Sequence, residues 1–399
     1  MSAVTPIDEV PRRSFPVLDT MRAVGALLVV VTHCAFNAGA YARHGVLGPL
    51  MARSDVGVAL FFVLSGFLLS RQWLLAAATG GTTPRLRRYV VHRFLRIVPA
   101  YAVVAVLALL LLPSNEPFRG VARWTSVLTL SDIYLHERLP YGLTQTWSLT
   151  TEIAFYVLLP LLMLLATGRG RRLGHRRVAV FLVVLVAVNV VWLLWLSARI
   201  PGHPPRVNEW LPAYLTWFAA GIGLSHVEIA GRGTRVHRWL SALAASPGSC
   251  WLLALGLLLV ATTPVAGPTL LVPATAAAGL TKNIVYVLVA TLVVLPGVLG
   301  PRGTAYERRM SHRSLRHLGA VSYSLFLVHM PVLQLVMWLT GYELFAGHLV
   351  QILLLTLALS LVAAELLYRL VELPALRLRS RWDGSSPANS AAQTASSTR

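Results

Sequence analysis

The sequence predicts an all-α fold: a polytopic membrane helix bundle of about ten transmembrane helices, with both termini in the cytoplasm. Three observations predict it. Hydrophobic residues make up 56% of the 399 and charged residues only 13%, too few polar side chains to cover a water-facing surface. Ten apolar stretches approach the roughly 20 residues needed to cross a ~30 Å hydrocarbon layer. The loops between them alternate between arginine-rich and arginine-poor.

The ten stretches lie near 17–36, 56–78, 97–113, 146–167, 178–198, 210–226, 250–265, 280–299, 319–339 and 346–368. The first contains Arg22 and has no small-residue cleavage pattern after it, so it reads as a span rather than a leader. On one side lie the amino terminus, 79–96, 168–177, 227–249, 300–318 and the tail. These segments hold 25 arginines, against 7 in the opposite loops. The positive-inside rule places that side in the cytoplasm. The formal net charge of +20 is thereby mostly a matter of sidedness, and no nucleic-acid partner is expected. Residues 1–16 form a cytoplasmic segment, 17–375 a membrane-embedded domain, and 376–399 a basic, then disordered cytoplasmic tail. The only two cysteines, Cys34 and Cys250, lie in different spans, so no disulfide framework or Cys-based metal site is indicated. The 12 histidines are scattered without a two-His helical spacing beside an acid, and no metal is expected. An Arg- and Ala-rich composition suggests a bacterial source and hence the cell membrane.

Ionisable groups inside spans are costly and point to function. The first span reads LDTMRAVGALLVVVTH, and Arg22 and His33 are eleven residues, or three turns, apart on one helix face. Arg22 reads either as a snorkelling anchor or as part of a site, and His33 as a packed or a functional histidine. The second span carries SDVGVALFFVLSGFLLS. Asp55 stands at its outer mouth, and Ser65-Gly66 interrupts an aromatic run, with Gly66 read first as a close helix contact. The following basic run, RLRRYVVHRFLRIVPAY, holds Arg93 and Arg96, whose planar forks suit phosphate. Arg85 and Arg87 read as topological charge.

The fourth span opens QTWSLTTEIAFYVLLP. Ser148 and Glu152 share a face at the depth of His33, so Glu152 is expected to orient His33 as a general base. Trp147 and Tyr156 flank them, with interfacial-belt aromatics as the plain alternative. The ninth span reads SYSLFLVHMPV, and its His329 by itself reads as structural.

Taken in order, these segments resemble acyltransferase family 3, the integral membrane O-acyltransferases. The resemblance rests on Arg22 and His33; on Phe61, Phe62, Ser65, Gly66 and Phe67; on Arg93, Arg96, Pro99 and Tyr101; and on Trp147, Ser148, Leu149, Glu152, Phe155 and Tyr156. It continues through Ser322, Tyr323, Ser324, His329 and Pro331 and closes at Glu372-x-Pro374. Two positions depart from the family pattern: Ile153-Ala154 replace a Glu and a Gln, and Ala23 replaces a Gly. No appended esterase-like domain is expected after residue 375.

The resemblance implies an acyltransferase transferring groups other than aminoacyl groups. Acyl-CoA, most simply acetyl-CoA, would dock on Arg93 and Arg96, helped by Arg88 and Tyr101. His33 would be the base, with Glu152 or Asp55 orienting it and Arg22 on the thioester's path. Ser148 and Ser65 would bind acceptor or oxyanion, with Trp147, Tyr156 and His329 around the acceptor. Direct attack and an acyl-histidine intermediate both remain open. The acceptor is expected to be a hydroxyl of a macrolide or other sugar-bearing small molecule; the alternative is O-acetylation of a cell-surface polysaccharide or glycolipid. From a different class, a proton-coupled transporter or flippase would use His33, Glu152 and His329 as a relay.

Overall fold

The computed structural model describes residues 14–168, 173–200, 206–269, 272 and 274–382. Among them there is no β-strand. Ten helices of 15 residues or more form the bundle: α1 (Pro16–Asn37), α2 (Gly57–Thr79), α3 (Leu86–Leu111), α4 (Thr146–Thr167), α5 (His175–Val191), α6 (Leu215–Ala230), α7 (Pro247–Ala261), α8 (Ala276–Leu299), α9 (Arg313–Thr340) and α10 (Leu349–Leu367). The chain is a multi-pass membrane protein, and a helix stands at each of the ten expected places.

Local sequence explains the ends. Pro16 and Pro247 occupy first-turn positions, where a missing N–H costs nothing. The Thr275 hydroxyl accepts from the Ala278 N–H at 3.2 Å and caps α8. Gly80 ends α2 with φ +68°, a left-handed turn that residues with a side chain resist. Pro99, Pro160, Pro296 and Pro331 lie inside helices, as membrane helices tolerate when neighbours satisfy the freed carbonyls.

Small residues set the closest contacts. A Cβ on Gly66 would come within 2.4 Å of the Phe218 carbonyl, and one on Gly221 within 2.1 Å of the Val63 carbonyl. Helices α2 and α6 therefore cross backbone to backbone, the close contact read from Gly66 in the sequence. Helix α1 lies between α2 and α9 in the same manner, with Gly57 against the Gly25 carbonyl and Gly319 against the Asp19 carbonyl.

A buried arginine closes the other half. Arg53, 3% exposed, donates to the carbonyls of Ala261 (2.7 Å), Ala266 (3.1 Å) and Gly267 (2.5 Å). It satisfies acceptors that the end of α7 would otherwise leave unpaired.

Three boundaries differ from expectation. Helix α3 starts at Leu86 rather than 97, because hydropathy stops at the basic run while arginine is a good helix former. Arg93 and Arg96 are thus successive turns of one helix. Among the described residues, eight helices are long and apolar enough to cross a membrane, or nine if Arg235–Ala244 and Pro247–Ala261, bent by 92°, count as one span. The shortfall from ten is α6, whose 16 residues rise only about 24 Å. Finally, α10 continues through a π-turn at Tyr368–Glu372 into Leu373–Trp382, past the expected domain end at 375. The expected disordered stretch from 383 and most of the N-terminal segment lie outside the described residues.

Candidate active site

The closeness of α1, α2, α3, α4 and α9 leaves one inner cavity of about 110 Å³. Arg22, Ser65, Arg93, Arg96, Ser148, Glu152 and Tyr156 line it, so residues from four separate sequence motifs meet there. Glu152 is its one cavity-lining carboxylate. It accepts a hydrogen bond from the Ser65 hydroxyl and another, of 2.5 Å, from the Tyr156 hydroxyl. Ser148 faces the cavity while its hydroxyl donates back to the Gln145 carbonyl at 3.1 Å.

The three arginines of the cavity differ in their partners. Arg22 donates to Asp19 one turn earlier, at 3.0 Å. Arg96 donates to Glu372, which also accepts from Ser324 at 2.7 Å, and its guanidinium stands 5.8 Å from the centre of the Tyr323 ring. Arg93 has no ion pair among the described residues. Its guanidinium lies 5.8 Å from the centre of the Tyr156 ring, and its Nε is buried without a hydrogen-bond partner. Arg93 is therefore the arginine with charge to offer.

Arg93 and Leu68 also line a second, larger cavity of about 1070 Å³. Its wall carries Arg71, Arg85, Arg87, Arg88 and Arg379, with Thr82 and Thr83. Arg85 and Arg87, read from sequence as topological charge, thus belong to this basic chamber beside Arg88. Glu228 holds Arg71 at 3.0 Å.

The remaining candidates lie elsewhere. His33 is not paired with Glu152 or Asp55. Its Nδ1 lies 2.8 Å from the Val29 carbonyl and 3.3 Å from Nε2 of His329. His329 is fully buried and packs against Phe326, whose ring borders the inner cavity. Asp55 is bound by Lys282 at 2.6 Å and by the Tyr286 hydroxyl. Trp147 packs on Tyr214, with ring centres 5.3 Å apart, and does not line the cavity. Tyr101, expected at the donor site, borders neither cavity; its hydroxyl is spent on the Val127 carbonyl at 2.7 Å. Beside His33, in the loop after α1, Tyr41 donates to the Thr32 carbonyl at 2.9 Å, and burial pushes its phenol up to about 12.

Sequence reasoning missed Arg71, although a charge within an apolar run is itself a signal. It also gave Glu372 no role, although the closing Glu-x-Pro segment drew attention to it. Phe326 carried no signal, since an apolar ring in a span reads as packing.

Comparison with known proteins adds an independent line. Residues 15–365 match the sequence pattern of a protein family described as an acyltransferase domain. Among similar proteins are a peptidoglycan O-acetyltransferase, OatA, of Listeria monocytogenes, 23% identical over 91% of this chain and 56% of its own length. Another is the regulator of hypoxia-inducible factor 1 of Caenorhabditis elegans, 21% identical over 92% of this chain and 80% of its own length. The chain thus spans little more than half of the Listeria protein. No solved structure matches.

Proposed function

Because the chain belongs to the acyltransferase family matched across residues 15–365 and is an acyltransferase, we propose that it moves an acetyl or other short acyl group from acyl-CoA to a sugar hydroxyl. The observation that carries this reading is the pair of cavities that share Leu68 and Arg93 in their walls. A basic chamber suits the phosphates of a CoA. The narrow inner cavity beyond it suits a pantetheine arm and a thioester. The basic chamber lies where the positive-inside rule places the cytoplasm, the compartment that holds acyl-CoA. Both termini lie on that side, and the membrane is a bacterial cell membrane.

In this reading Arg85, Arg87 and Arg88 draw in the phosphates and Arg93 guides the arm past Leu68. Arg22 stands beside the thioester, where its N–H groups meet charge developing on the carbonyl oxygen, while Ser65 and Ser148, whose hydroxyls donate to Glu152 and Gln145, form the wall around it. His33 takes the acceptor's proton. Phe61 and Phe326, with ring centres 6.0 Å apart, both line the inner cavity, and Phe326 also packs against His329.

The Listeria relative's name supports a cell-wall glycan as acceptor, ahead of a macrolide. The test uses the purified full chain in lipid nanodiscs with radiolabelled acetyl-CoA. Soluble peptidoglycan fragments and a macrolide panel are offered separately, and esters are detected by mass spectrometry. Transfer to glycan is the expected result, and transfer only to macrolides replaces the acceptor. Proton or substrate flux in proteoliposomes without any acetyl-CoA turnover overturns the enzyme reading in favour of a transporter.

A further inference from the structure

The histidine pair has a hydrogen-bond geometry that allows one arrangement of protons. A carbonyl oxygen only accepts. His329 Nδ1, 2.7 Å from the Phe326 carbonyl, therefore carries its ring's proton, and its Nε2 is left as an acceptor. His33 Nδ1, 2.8 Å from the Val29 carbonyl, carries a proton by the same argument. That N–H is shared with His329 Nε2 at 3.3 Å, as a three-centre bond. The lone pair of His33 thus falls on Nε2.

The geometry points to His329 as the positioning residue for His33: with the tautomer set by the Val29 carbonyl, it offers the Nδ1–H a second acceptor and supports the imidazolium that forms when Nε2 takes a proton. This rests on the reading of His33 as the base. As the acceptor oxygen bonds to the thioester carbonyl carbon, its proton passes to His33 Nε2. The C–S bond breaks, and the departing thiolate takes that proton from Nε2 to leave as free CoA thiol. While His33 holds the extra proton, its Nδ1–H becomes a charge-assisted donor to His329. The chain from His33 through His329 to the Phe326 carbonyl polarises in one direction. A ring without net charge does here what a carboxylate does in a Ser-His-Asp triad, and avoids placing a permanent anion among apolar helices.

The packing holds the two rings together. His329 is 0% exposed, and its ring centre lies 5.2 Å from that of His33. Helices α1 and α9 meet so closely that a Cβ on Gly319 would stand 2.1 Å from the Asp19 carbonyl. Asn37 adds a hydrogen bond to the His33 carbonyl at 2.9 Å, which steadies the backbone at that turn.

The test compares wild type, His33→Ala, His329→Phe and His329→Gln, each as the full chain in nanodiscs with acetyl-CoA and soluble peptidoglycan fragments. Gln is included because its amide oxygen offers an acceptor near the place of Nε2. His329→Phe is expected to lower kcat roughly 10²-fold with KM for acetyl-CoA unchanged, and His329→Gln to recover much of that loss. A His329→Phe protein as active as wild type, beside an inactive His33→Ala, overturns the positioning role alone. Wild-type turnover in His33→Ala overturns the base assignment and this role with it. A second arm needs no acceptor: in ring-¹⁵N-histidine protein, His33 is expected as the Nδ1–H tautomer held by the Val29 carbonyl, with its Nδ1 resonance shifted in His329→Phe by loss of the second acceptor and the tautomer kept. An unchanged His33 signal in that variant overturns the proposal.

Discussion

Arg96 and Glu372, 276 positions apart in the chain, meet at the edge of the inner cavity, where the second carboxylate oxygen also takes a hydrogen bond from Ser324. The end of the membrane domain is thereby fastened to the helix that carries Arg93 and Arg96. Glu372→Gln leaves the Arg96 charge without its carboxylate. Removing one partner of a fully buried pair costs about 3–5 kcal/mol, and Arg96 is 28% exposed, so a loss nearer 2 kcal/mol is expected. It is read as a lower Tm, and Arg96→Met with Glu372→Leu is expected to restore part of it.

Arg93 makes no ion pair with a carboxylate among the described residues. Arg93→Ala is expected to raise KM for acetyl-CoA about tenfold, the equivalent of about 1.4 kcal/mol, with little change in Tm. Arg93→Lys recovers less than half of the effect, because an ammonium lacks the planar fork. Steady-state kinetics at several salt concentrations check both, with the wild-type KM rising more steeply with salt than that of Arg93→Ala.

Tyr101 stands away from both cavities. Tyr101→Phe is expected to leave KM for acetyl-CoA unchanged and to cost about 1 kcal/mol of stability through the lost bond to Val127. A raised KM with an unchanged Tm would return it to the donor site.

Gly221 faces the Val63 carbonyl with no room for a methyl group. Gly221→Ala forces α2 and α6 apart, at a cost of about 1–3 kcal/mol. Since α2 also presents Ser65 to Glu152, turnover falls with stability. Thermal unfolding and acetyl transfer measured on one preparation test the link.

Arg53 makes three charge-assisted bonds to backbone carbonyls. Arg53→Ala is expected to cost roughly 3 kcal/mol, and Arg53→Lys, whose ammonium cannot span all three acceptors, to recover less than half of that. Chemical unfolding in mild detergent gives the comparison.

Much of this was legible in the sequence. Composition and the apolar pattern specify a helical membrane protein, because lipid leaves the backbone few other options. The ordered motifs marked Arg22, Ser65, Arg93, Arg96, Ser148, Glu152 and Tyr156, which the fold gathers around one cavity. Pairings were not legible. Helix spacing relates residues on one helix, whereas Glu152 meets Ser65 and His33 meets His329 through the crossing of different helices. Those crossings depend on glycines such as Gly319 that carry no chemistry of their own. The start of α3 was missed for another reason: hydropathy measures affinity for lipid, and a helix continues into water wherever its residues permit.

The bond from Arg53 to Ala261 joins positions 208 residues apart, and this bears on how the protein is made. The chain emerges from the ribosome amino end first, so Arg53 is synthesised long before α7 exists. Until α7 arrives, that guanidinium has none of its final acceptors and can remain hydrated. Once α7 arrives, the same group becomes a lock between early and late parts of the chain. The early half therefore reaches its final outer-loop structure only after the seventh helix has been synthesised, and a nascent chain stopped short of α7 carries an open, solvent-facing Arg53.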